Sequence, residues 1–460
     1  MLKLVMLPIE VQNRIRQFNP WLVNPEQATE LIARFLPRVY VPRQGEEVSF
    51  VENRALLVVG PRQSGKSTMI WHRLYDFAPY ILFLNMEDPL LKTACTAAVD
   101  FTEYVHKNRS LFKIIFIDEI QHMQEAGLFI KGIIDAKLGI PLIVTGSSSF
   151  HLRSRTRESL AGRATRRRLL PFSLRELLLH GNPPNPIARR ALAEKIVSDQ
   201  IVFGSYPAVF LAGADREKAE ILNDLVESLI LRDASDLFRV KRIDAFRKLL
   251  MLLAGQIGSL VNLSELASIC NVDVGTIGNY LEILEENHIV QKVSPFSGGK
   301  RVELTSIPKV FFIDCGIRNQ LLSNHSRDLL LRTDIGSLLE NWVFSELCKN
   351  LSLAEPIRFW RSKGGGEVDF IIEDAGTLHA VEVKFASLKR PALSRSIRSF
   401  LEAYEPKRLA FVNMSLEHEL KMGNTKINFL TPLTFMEWLE EFSSRGFESP
   451  PQCRAPSVNP

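Results

Sequence analysis

Short apolar runs recur along the first half of the chain, separated by segments long enough to form helices. The runs that predict β-strands are residues 55–59, 81–84, 114–117 and 142–144. Strands that alternate with helices pair in parallel and are covered on both faces, so this pattern indicates an α/β sheet. Amphipathic spacing over residues 1–45 predicts an N-terminal helical segment, and a turn-rich stretch at 181–186 interrupts a helical lid region.

The pattern of apolar positions changes between residues 236 and 305. It predicts helices at 246–257, 264–269 and 274–287, followed by a hairpin that turns at 297–300. This order of elements resembles a winged helix-turn-helix, in which the last helix enters a DNA groove and the hairpin touches the DNA backbone.

Outward-facing residues of this unit are candidates for DNA contact. They are Thr276, Asn279 and Tyr280 on the last helix and Lys292, Lys300 and Arg301 on the wing. Glu282, Glu285 and Glu286 place negative charge on the same helix and would repel phosphates if they faced them. The unit is therefore either a DNA-binding module or a module that packs on its neighbours and mediates assembly.

The rest of the chain returns to alternating strands and helices, which predicts a second α/β domain ending near residue 445. The Pro-rich C-terminal segment is predicted to be a disordered tail. The predicted division of the chain is 1–45, 46–235, 236–305, 306–445 and 446–460.

Composition narrows the class of protein. Of 460 residues, 46% are apolar and 24% are charged, which are ordinary globular proportions and exclude a disordered or collagen-like chain. Five cysteines lie far apart with no Cys-x-x-Cys pair, so neither a disulfide framework nor a structural zinc site is predicted. Because no apolar run is long enough to span a bilayer, we expect a cytoplasmic protein without a membrane segment.

The net charge of +5 is too small to identify a polyanionic partner, but its distribution is uneven. Seven arginines and a single acid lie between Arg153 and Arg168. Such a run can be a surface that faces solvent or nucleic acid.

A phosphate-binding motif follows the first predicted strand and opens a helix. The motif G-x-x-x-x-G-K-[ST] is filled by Gly60, Pro61, Arg62, Gln63, Ser64, Gly65, Lys66 and Ser67, and Thr68 comes next. The glycines let successive N–H groups face the phosphates of a nucleotide, and the helix N-terminus adds partial positive charge. Lys66 is predicted to contact the β- and γ-phosphates and Ser67 to bind Mg²⁺, so ATP and Mg²⁺ are the expected cofactors.

Two acids end the third predicted strand. Asp118 is predicted to hold Mg²⁺ through water, and Glu119 to orient and deprotonate the attacking water. The next strand leads into small hydroxyl residues, of which Ser147 is the candidate sensor of the γ-phosphate. Together these residues predict an enzyme that hydrolyses ATP.

These motifs resemble the AAA+ branch of P-loop ATPases, in which the third parallel strand ends in Asp-Glu and the next ends in a polar sensor. Residues 145–149, 160–163, 170–173 and 203–207 further resemble the prokaryotic ATPases that carry a C-terminal domain of unassigned function. The resemblance implies a homo-oligomer in which an arginine from a neighbouring subunit completes the ATP site. Arg163 is the first candidate for this arginine and Arg153 the second, unless the run only faces solvent or nucleic acid.

A second group of polar residues lies near the C-terminus. Residues 366–372 and 379–385 are predicted to be neighbouring antiparallel strands, which would bring Asp369 towards Glu382 and Lys384. Two carboxylates can bind a divalent metal that polarises a phosphodiester, and a lysine can position the nucleophile or stabilise developing charge. Asp369 and Glu382 are the predicted metal ligands, Lys384 is the third catalytic residue, and Glu340 supplies a further carboxylate from the preceding helix.

An Asp followed at a distance by Glu-x-Lys resembles the PD-(D/E)XK nuclease superfamily, which implies a restriction-endonuclease-like fold for the C-terminal domain. Val368 stands where the superfamily motif has proline; the ligands remain, but the match is weaker. The predicted protein is a multidomain α/β ATPase that couples its nucleotide state to DNA engagement by the winged-helix and nuclease-like domains. Two alternatives stay open: an ATP-gated metal-dependent endonuclease, and a non-cleaving ATP-driven binding switch for a protein or nucleic-acid partner.

Overall fold

The structure is a computed structural model of the chain. It describes residues 7–47, 49–95, 98–146, 160, 162–228, 234, 240–298, 307–351, 355–374 and 376–446.

Among these residues, five parallel strands form the first sheet. They are β1 (Ala55–Val59), β2 (Ile81–Asn85), β3 (Ile114–Asp118), β4 (Leu142–Gly146) and β5 (Ala164–Arg168). They lie in the order β2-β3-β4-β1-β5. The four strands predicted from the sequence are confirmed, and their apolar side chains are buried because both faces of the sheet are covered.

Strand β5 was not predicted, because its sequence Ala-Thr-Arg-Arg-Arg lacks an apolar run. It is an edge strand that pairs with β1, and its side chains are half-buried or exposed. An edge strand can therefore form without the hydrophobic signal that identifies central strands.

The helices that precede and connect these strands pack on both faces of the sheet. They are α1 (Ile9–Phe18), α2 (Ala28–Ala33), α3 (Lys66–Leu74), α4 (Pro89–Ala94), α5 (Ala98–Lys107) and α6 (Ala126–Asp135). The N-terminal segment is held to the edge strand β2 by backbone contacts. The Asn19 side chain donates to the Phe83 carbonyl at 2.8 Å and accepts from the Phe83 N–H at 2.6 Å, which covers that edge.

Four lid helices follow β5 in the described chain. They are α7 (Leu174–Gly181), α8 (Pro186–Phe203), α9 (Pro207–Leu211) and α10 (Asp215–Ser228). Ser173 and Glu176 form a capping box at the start of α7. The predicted turn at 181–186 is confirmed: Asn182 ends α7 in a left-handed conformation, and the Asn185 side chain caps α8.

The three helices expected after the lid are also present. They are α11 (Ile243–Gly255), α12 (Leu263–Cys270) and α13 (Val274–Glu286), followed by strand β6 (Val290–Pro295). The second strand of the predicted wing lies outside the described residues. Among the described residues, β6 pairs antiparallel with β7 (Lys309–Phe312). The end of β6 also pairs in parallel with β8 (Ile357–Arg361).

Strand β6 therefore belongs to a second sheet, which contains eight strands among the described residues. The remaining strands are β9 (Glu367–Asp374), β10 (Thr377–Val383), β11 (Arg408–Val412), β12 (His418–Met422) and β13 (Thr425–Leu430). The order is β12-β13-β11-β10-β9-β8-β6-β7, and β9 and β10 are antiparallel as predicted. The helices of this part are α14 (Cys315–Leu321), α15 (Ile335–Asn350), α16 (Arg395–Tyr404) and α17 (Pro432–Gly446).

One continuous hydrophobic cluster joins the lid, the three-helix unit and the second sheet. It contains Leu174 of α7, Phe246 of α11 and Trp342 of α15, all of them almost fully buried. Within the described chain, no helix combines the length and apolarity that crossing a bilayer requires.

Candidate functional site

The phosphate-binding motif forms a tight loop between β1 and α3. The helix begins at Lys66, directly after Gly65, whose φ of 92° is in the left-handed region. A side chain at Gly60 could not be accommodated, because a Cβ there would lie 2.0 Å from the Leu169 carbonyl oxygen. The glycines of the motif are therefore required by the backbone path of the loop.

Two polar side chains of the loop, those of Lys66 and Ser64, are buried. The buried Lys66 ammonium donates to the carbonyls of Pro61 at 2.7 Å and Gly60 at 3.2 Å. Ser64 Oγ is buried and has no hydrogen-bond partner in the described part of the chain. A helix N-terminus, an ammonium group and a spare hydroxyl fit a bound anion.

Asp118, at the end of β3, lies beside this loop. One of its carboxylate oxygens accepts hydrogen bonds from Ser67 Oγ at 2.9 Å and from the Thr145 hydroxyl of β4. Burial, and secondly the charge of Glu119, raise the pKa of Asp118. A divalent cation would relieve both costs, so Ser67 and Asp118 fit the expected Mg²⁺ ligands.

Thr145, the next-to-last residue of β4, belongs to the run of hydroxyl residues noted in the sequence but was not chosen as the sensor. The sensor proposed from sequence, Ser147, lies outside the described residues.

Glu119 is held in a left-handed conformation with φ of 56° and lines the cavity above the loop. Its carboxylate accepts a hydrogen bond from the Gln121 amide. A carboxylate oxygen of Glu119 also lies within 4.8 Å of a carboxylate oxygen of Glu87 and of a ring nitrogen of His122. Among the described residues this is the one group of three side chains close enough together to hold a metal ion. Burial lowers the pKa of His122, so this histidine is neutral near pH 7. The Glu119 carboxylate therefore lies at the wall of the cavity, which is the position that a general base for an attacking water would need.

The cavity above the loop has a volume of about 360 Å³. Its apolar wall comes from the segment before β1 and from the lid: Pro37, Val39, Tyr40, Val41, Phe172, Pro207, Ala208 and Leu211. An apolar cleft beside a phosphate loop suits a planar nucleobase. Sequence analysis missed these residues because no spacing rule marks them; only the fold brings two distant segments together.

Arg163 lies far from its own phosphate loop. It precedes β5, where Ala164 pairs with Ala55 at the start of β1, whereas the loop follows the other end of β1. The length of β1 separates them by roughly 16 Å. Arg163 Nε forms an ion pair with Asp135 at 3.0 Å. Any contact between Arg163 and an ATP would therefore be with that of a neighbouring copy; Arg153 lies outside the described residues.

The C-terminal residues chosen from the sequence meet at one place. Asp369 of β9 accepts a hydrogen bond from the Val383 N–H at 2.8 Å, and Lys384 Nζ lies 3.0 Å from Glu382 Oε1 of β10. Glu340 of α15 faces the same cluster, since its charge interacts with that of Asp369. The three carboxylates do not form a compact triad: no group of their ligand atoms falls within 4.8 Å in the described structure.

Burial dominates the electrostatics of these acids. Burial, followed by repulsion from Asp369, raises the pKa of Glu340 to about 8 and that of Glu382 to about 7. Burial also raises the pKa of Asp369. Glu382 Oε2 is buried and has no hydrogen-bond partner among the described residues. An unsatisfied oxygen among crowded acids fits a site for a cation.

Sequence analysis missed two further members of this cluster, Lys309 and Glu367. Lys309 Nζ lies 2.5 Å from Glu367 Oε1 and 3.2 Å from Glu340 Oε1, and its side chain is only 4% exposed. In the sequence, Lys309 only precedes an apolar run, where a lysine at a solvated strand end is expected. Val368, which replaces the motif proline, is fully buried in the sheet core.

The prediction of outward-facing DNA-contact residues is wrong for Tyr280. Tyr280 does not face outward; its side chain is buried because its ring packs on Phe246. Its hydroxyl donates a hydrogen bond to the Arg242 carbonyl at 3.4 Å. Asn279 is exposed and Thr276 half-buried. Lys292 forms an ion pair with Glu285 at 2.9 Å, which partly neutralises it. Lys300 and Arg301 lie outside the described residues.

Comparison with family models divides the chain into three matches. Residues 52–178 match an AAA domain. Residues 194–328 match a domain of unknown function, DUF8612, and residues 335–436 match another, DUF4143. The first match covers the phosphate loop, Asp118 and Glu119, so this part of the chain is a P-loop ATPase domain of the AAA class.

Relatives with the same overall extent occur in archaea and bacteria. An uncharacterized protein of Methanocaldococcus jannaschii is 23% identical over 380 residues, covering 80% of this chain and 83% of its own length. An uncharacterized protein of Mycobacterium tuberculosis is 26% identical over 376 residues, covering 81% and 79%.

Solved structures give weaker matches. The replication initiator DnaA bound to AMPPCP and single-stranded DNA aligns with 57% of this chain and 92% of its own, at 12% identity and a TM-score of 0.25. The ORC2 protein of Aeropyrum pernix in its ADP form aligns with 56% and 90%, at 12% identity and a TM-score of 0.29.

Proposed function

We propose that the chain binds and hydrolyses ATP at the loop between β1 and α3 and uses its nucleotide state to control how the C-terminal units engage DNA. The contact that carries the first part is the 2.9 Å hydrogen bond between Ser67 Oγ and Asp118 Oδ1, which places two Mg²⁺-type oxygen ligands beside a phosphate loop.

Each residue of the site has a role in this reaction. Lys66 would exchange its two carbonyl contacts for the β- and γ-phosphates, and the loop N–H groups would hold the phosphate oxygens. Ser67 and Asp118 would hold Mg²⁺, which neutralises charge that develops on the phosphates. Glu119 would accept the proton of the attacking water, and the apolar wall with Tyr40 and Phe172 would hold the base.

Two variants test the ATPase proposal. Lys66→Ala removes the ammonium group and should weaken binding of a fluorescent ATP analogue by at least about tenfold, since charge-assisted contacts contribute roughly 1.5–3 kcal/mol. Lys137→Ala, which alters an exposed lysine, should leave binding unchanged. Equal binding by both variants would refute the assignment of this loop to ATP.

Buried contacts between the lid and α15 support coupling to the C-terminal units. Arg43 donates to the Ser64 carbonyl of the phosphate loop at 2.7 Å and to Glu176 at 3.0 Å. At the same end of α7, the Leu174 N–H donates to Glu346 of α15 at 3.1 Å. Helix α15 also carries Glu340 of the carboxylate cluster. A change in the loop can thus reach that cluster through packed, buried groups.

Coupling predicts reciprocity between nucleotide and DNA. If ATP changes the affinity for DNA by a given factor, DNA must change the affinity for ATP by the same factor. Titrating labelled DNA with and without a non-hydrolysable ATP analogue, and the reverse, measures both factors. Affinities that do not depend on each other would leave an ATPase without DNA coupling and would favour a protein partner.

A second candidate function is that of an ATP-gated metal-dependent endonuclease. It is favoured by the unsatisfied, buried Glu382 Oε2 beside Asp369. In this function Asp369 and Glu382 would hold a divalent cation, which would polarise the phosphodiester and lower the pKa of water, and Lys384 would stabilise the negative charge that develops on the phosphate.

Nicking of supercoiled plasmid in Mg²⁺ or Mn²⁺ tests this function. Activity should be lost in Asp369→Asn and in Glu382→Gln and retained in Glu373→Gln, which alters an exposed acid of β9. If the wild-type protein does not cut DNA or RNA, the C-terminal domain is a non-cleaving binding module.

A further inference from the structure

The carboxylate cluster contains a cation of its own. Lys309 Nζ contacts Glu340 Oε1 at 3.2 Å and Glu367 Oε1 at 2.5 Å, while Lys384 lies on the other side, against Glu382. Lys384 is 54% exposed, whereas Lys309 is 4% exposed. The two lysines therefore differ in kind: one lies at the mouth of the site and the other is part of its interior.

The backbone around Lys309 fixes this position. Lys309 pairs with Val293 in the register of β6 and β7, and the next residue, Val310, accepts a hydrogen bond from the Gly258 N–H at 3.0 Å. The ammonium lies near the rings of Phe311 and Phe359, at 6.0 and 5.4 Å from their centroids. With strand pairing on its backbone and two aromatic rings near its ammonium, the side chain is held in a position that is only 4% exposed.

The unsatisfied acceptor of the cluster is not on either of the two acids that contact Lys309. Glu340 and Glu367 each give an oxygen to Lys309, while the unsatisfied buried oxygen is Glu382 Oε2, beside Asp369. Gly258 closes the Glu340 side, since a Cβ there would come within 3.3 Å of Glu340 Oε2. A cation that enters the site thus finds its ligands on Asp369 and Glu382.

Charge limits how many cations can enter. The cluster contains four carboxylates and three cationic groups. The acids are Glu340, Glu367, Asp369 and Glu382, and the cations are Lys309, Lys384 and Arg361, which lies 3.6 Å from Glu367. When all four acids are ionised, as a bound metal favours, one divalent cation leaves this cluster close to neutral, whereas a second would leave a large positive excess. The metals of a two-metal site lie about 3.5–4 Å apart and need further carboxylate ligands. Glu340, the further carboxylate of this cluster, already contacts Lys309 at 3.2 Å.

We propose that Lys309 takes the place of a second metal ion and limits the carboxylate site to a single divalent cation held by Asp369 and Glu382. This inference rests on the metal site of the proposed endonuclease function. Lys309 is a positioning residue: it holds Glu340 and Glu367 apart from the metal and supplies positive charge without binding a water molecule.

The stoichiometry of Mn²⁺ binding tests the proposal without any measurement of activity. Free Mn²⁺ is followed by electron paramagnetic resonance during titration of the full-length, nucleotide-free protein. The Glu382→Gln variant supplies the baseline, because metal bound near the phosphate loop is common to both proteins. The wild-type protein should bind one Mn²⁺ per chain more than this variant, whereas Lys309→Met should bind two more, with the broadened spectrum of a coupled pair.

Two variants separate position from charge. Lys309→Arg keeps a cation at the same place and should retain one Mn²⁺. Lys384→Met removes the same charge from the mouth of the site and should also retain one. If Lys309→Met does not fold, Lys309→Gln is measured in its place. The wild-type stoichiometry tests by itself whether the site holds one divalent cation.

Each outcome decides a different point. Two Mn²⁺ in the wild-type protein, or only one in the folded Lys309→Met protein, overturns the role of Lys309 while leaving the metal site intact. No difference between wild type and Glu382→Gln overturns the metal site, and the endonuclease function together with this inference.

Discussion

The nucleotide site and the carboxylate site are built in opposite ways. The first takes most of its polar groups from one short loop and one strand end, and its remaining wall is apolar. The second gathers charged side chains from α15 and three strands, spread between Lys309 and Lys384 along the chain. The first site is an open cavity for a charged ligand; the second already contains part of its compensating charge.

This difference shows what each site needs before it can act. The Lys66 ammonium of the phosphate loop is stable in the absence of a ligand, because it donates hydrogen bonds to the loop carbonyls. Buried carboxylates repel one another, so the second site must protonate, bind a lysine or bind a metal. Internal cations such as Lys309 follow from crowding acids on adjoining strands and a helix.

The largest expected effect belongs to the nucleotide site. If Glu119 is the general base, as proposed, Glu119→Gln removes it but keeps its shape, so ATP turnover should fall about 10²–10⁴-fold while ATP affinity changes less than about threefold. Phosphate release and equilibrium binding measure the two quantities. Glu125→Gln, at an exposed position close in sequence, is the control. Normal turnover in Glu119→Gln would assign the base to another residue.

The next effect concerns the stability of the carboxylate site. Lys309→Met removes the buried cation of the half-buried Glu340 and Glu367 and should lower the free energy of unfolding by about 3 kcal/mol, the low end of the cost of breaking a buried pair. Lys426→Met removes an exposed partner of Glu419 and should cost less than about 1 kcal/mol. Urea unfolding, followed by the fluorescence of the buried tryptophans, measures both. Equal losses would show that the internal ion pair is no stronger than the surface one.

Much of the nucleotide site was predictable from the sequence because its determinants are local. The loop and its two acids follow strands that an apolar run reveals, and the structure places Ser67 beside Asp118. The base-binding wall was not predictable, since Val39 and Pro207 meet only in the fold. The AAA domain is supported by the family match, whereas roles of single residues remain predictions.

The carboxylate site was predictable only in part, for a physical reason. Strand alternation correctly aligned Asp369 with Glu382, because β9 and β10 are consecutive and antiparallel. Lys309 could not be found in this way: β7 joins the sheet only through β6, and β6 reaches the carboxylate strands by pairing Ser294 with Arg358 of the distant strand β8. Tyr280 was misplaced for a similar reason, since its burial depends on packing against Phe246 of another helix.

A third prediction concerns pH. The pKa of Glu340 in the folded protein, about 8, lies above its ordinary value, so the folded state keeps a proton that the unfolded chain releases above about pH 4.5. The contribution of Glu340 to stability is therefore largest below pH 4.5 and is lost as pH rises towards 8. Unfolding free energies of wild type minus Glu340→Gln should fall by roughly 2–4 kcal/mol between pH 5 and 8.

The contrary result for Glu340 is a difference that stays constant over this range. It would mean that Lys309 keeps Glu340 ionised throughout, and the charge count of the cluster would then hold at all pH values.

The smallest expected effect concerns the predicted wing. If the wing contacts DNA, Lys300→Glu with Arg301→Glu should reduce the slope of log affinity against log salt by about 2, since each lost phosphate contact contributes roughly 0.9. Lys292→Glu should change the slope less, because Lys292 is already paired with Glu285. Fluorescence anisotropy over a range of salt concentrations measures both slopes. An unchanged slope in the double variant would assign the wing to protein contacts, and coupling would then reach a protein partner through α15.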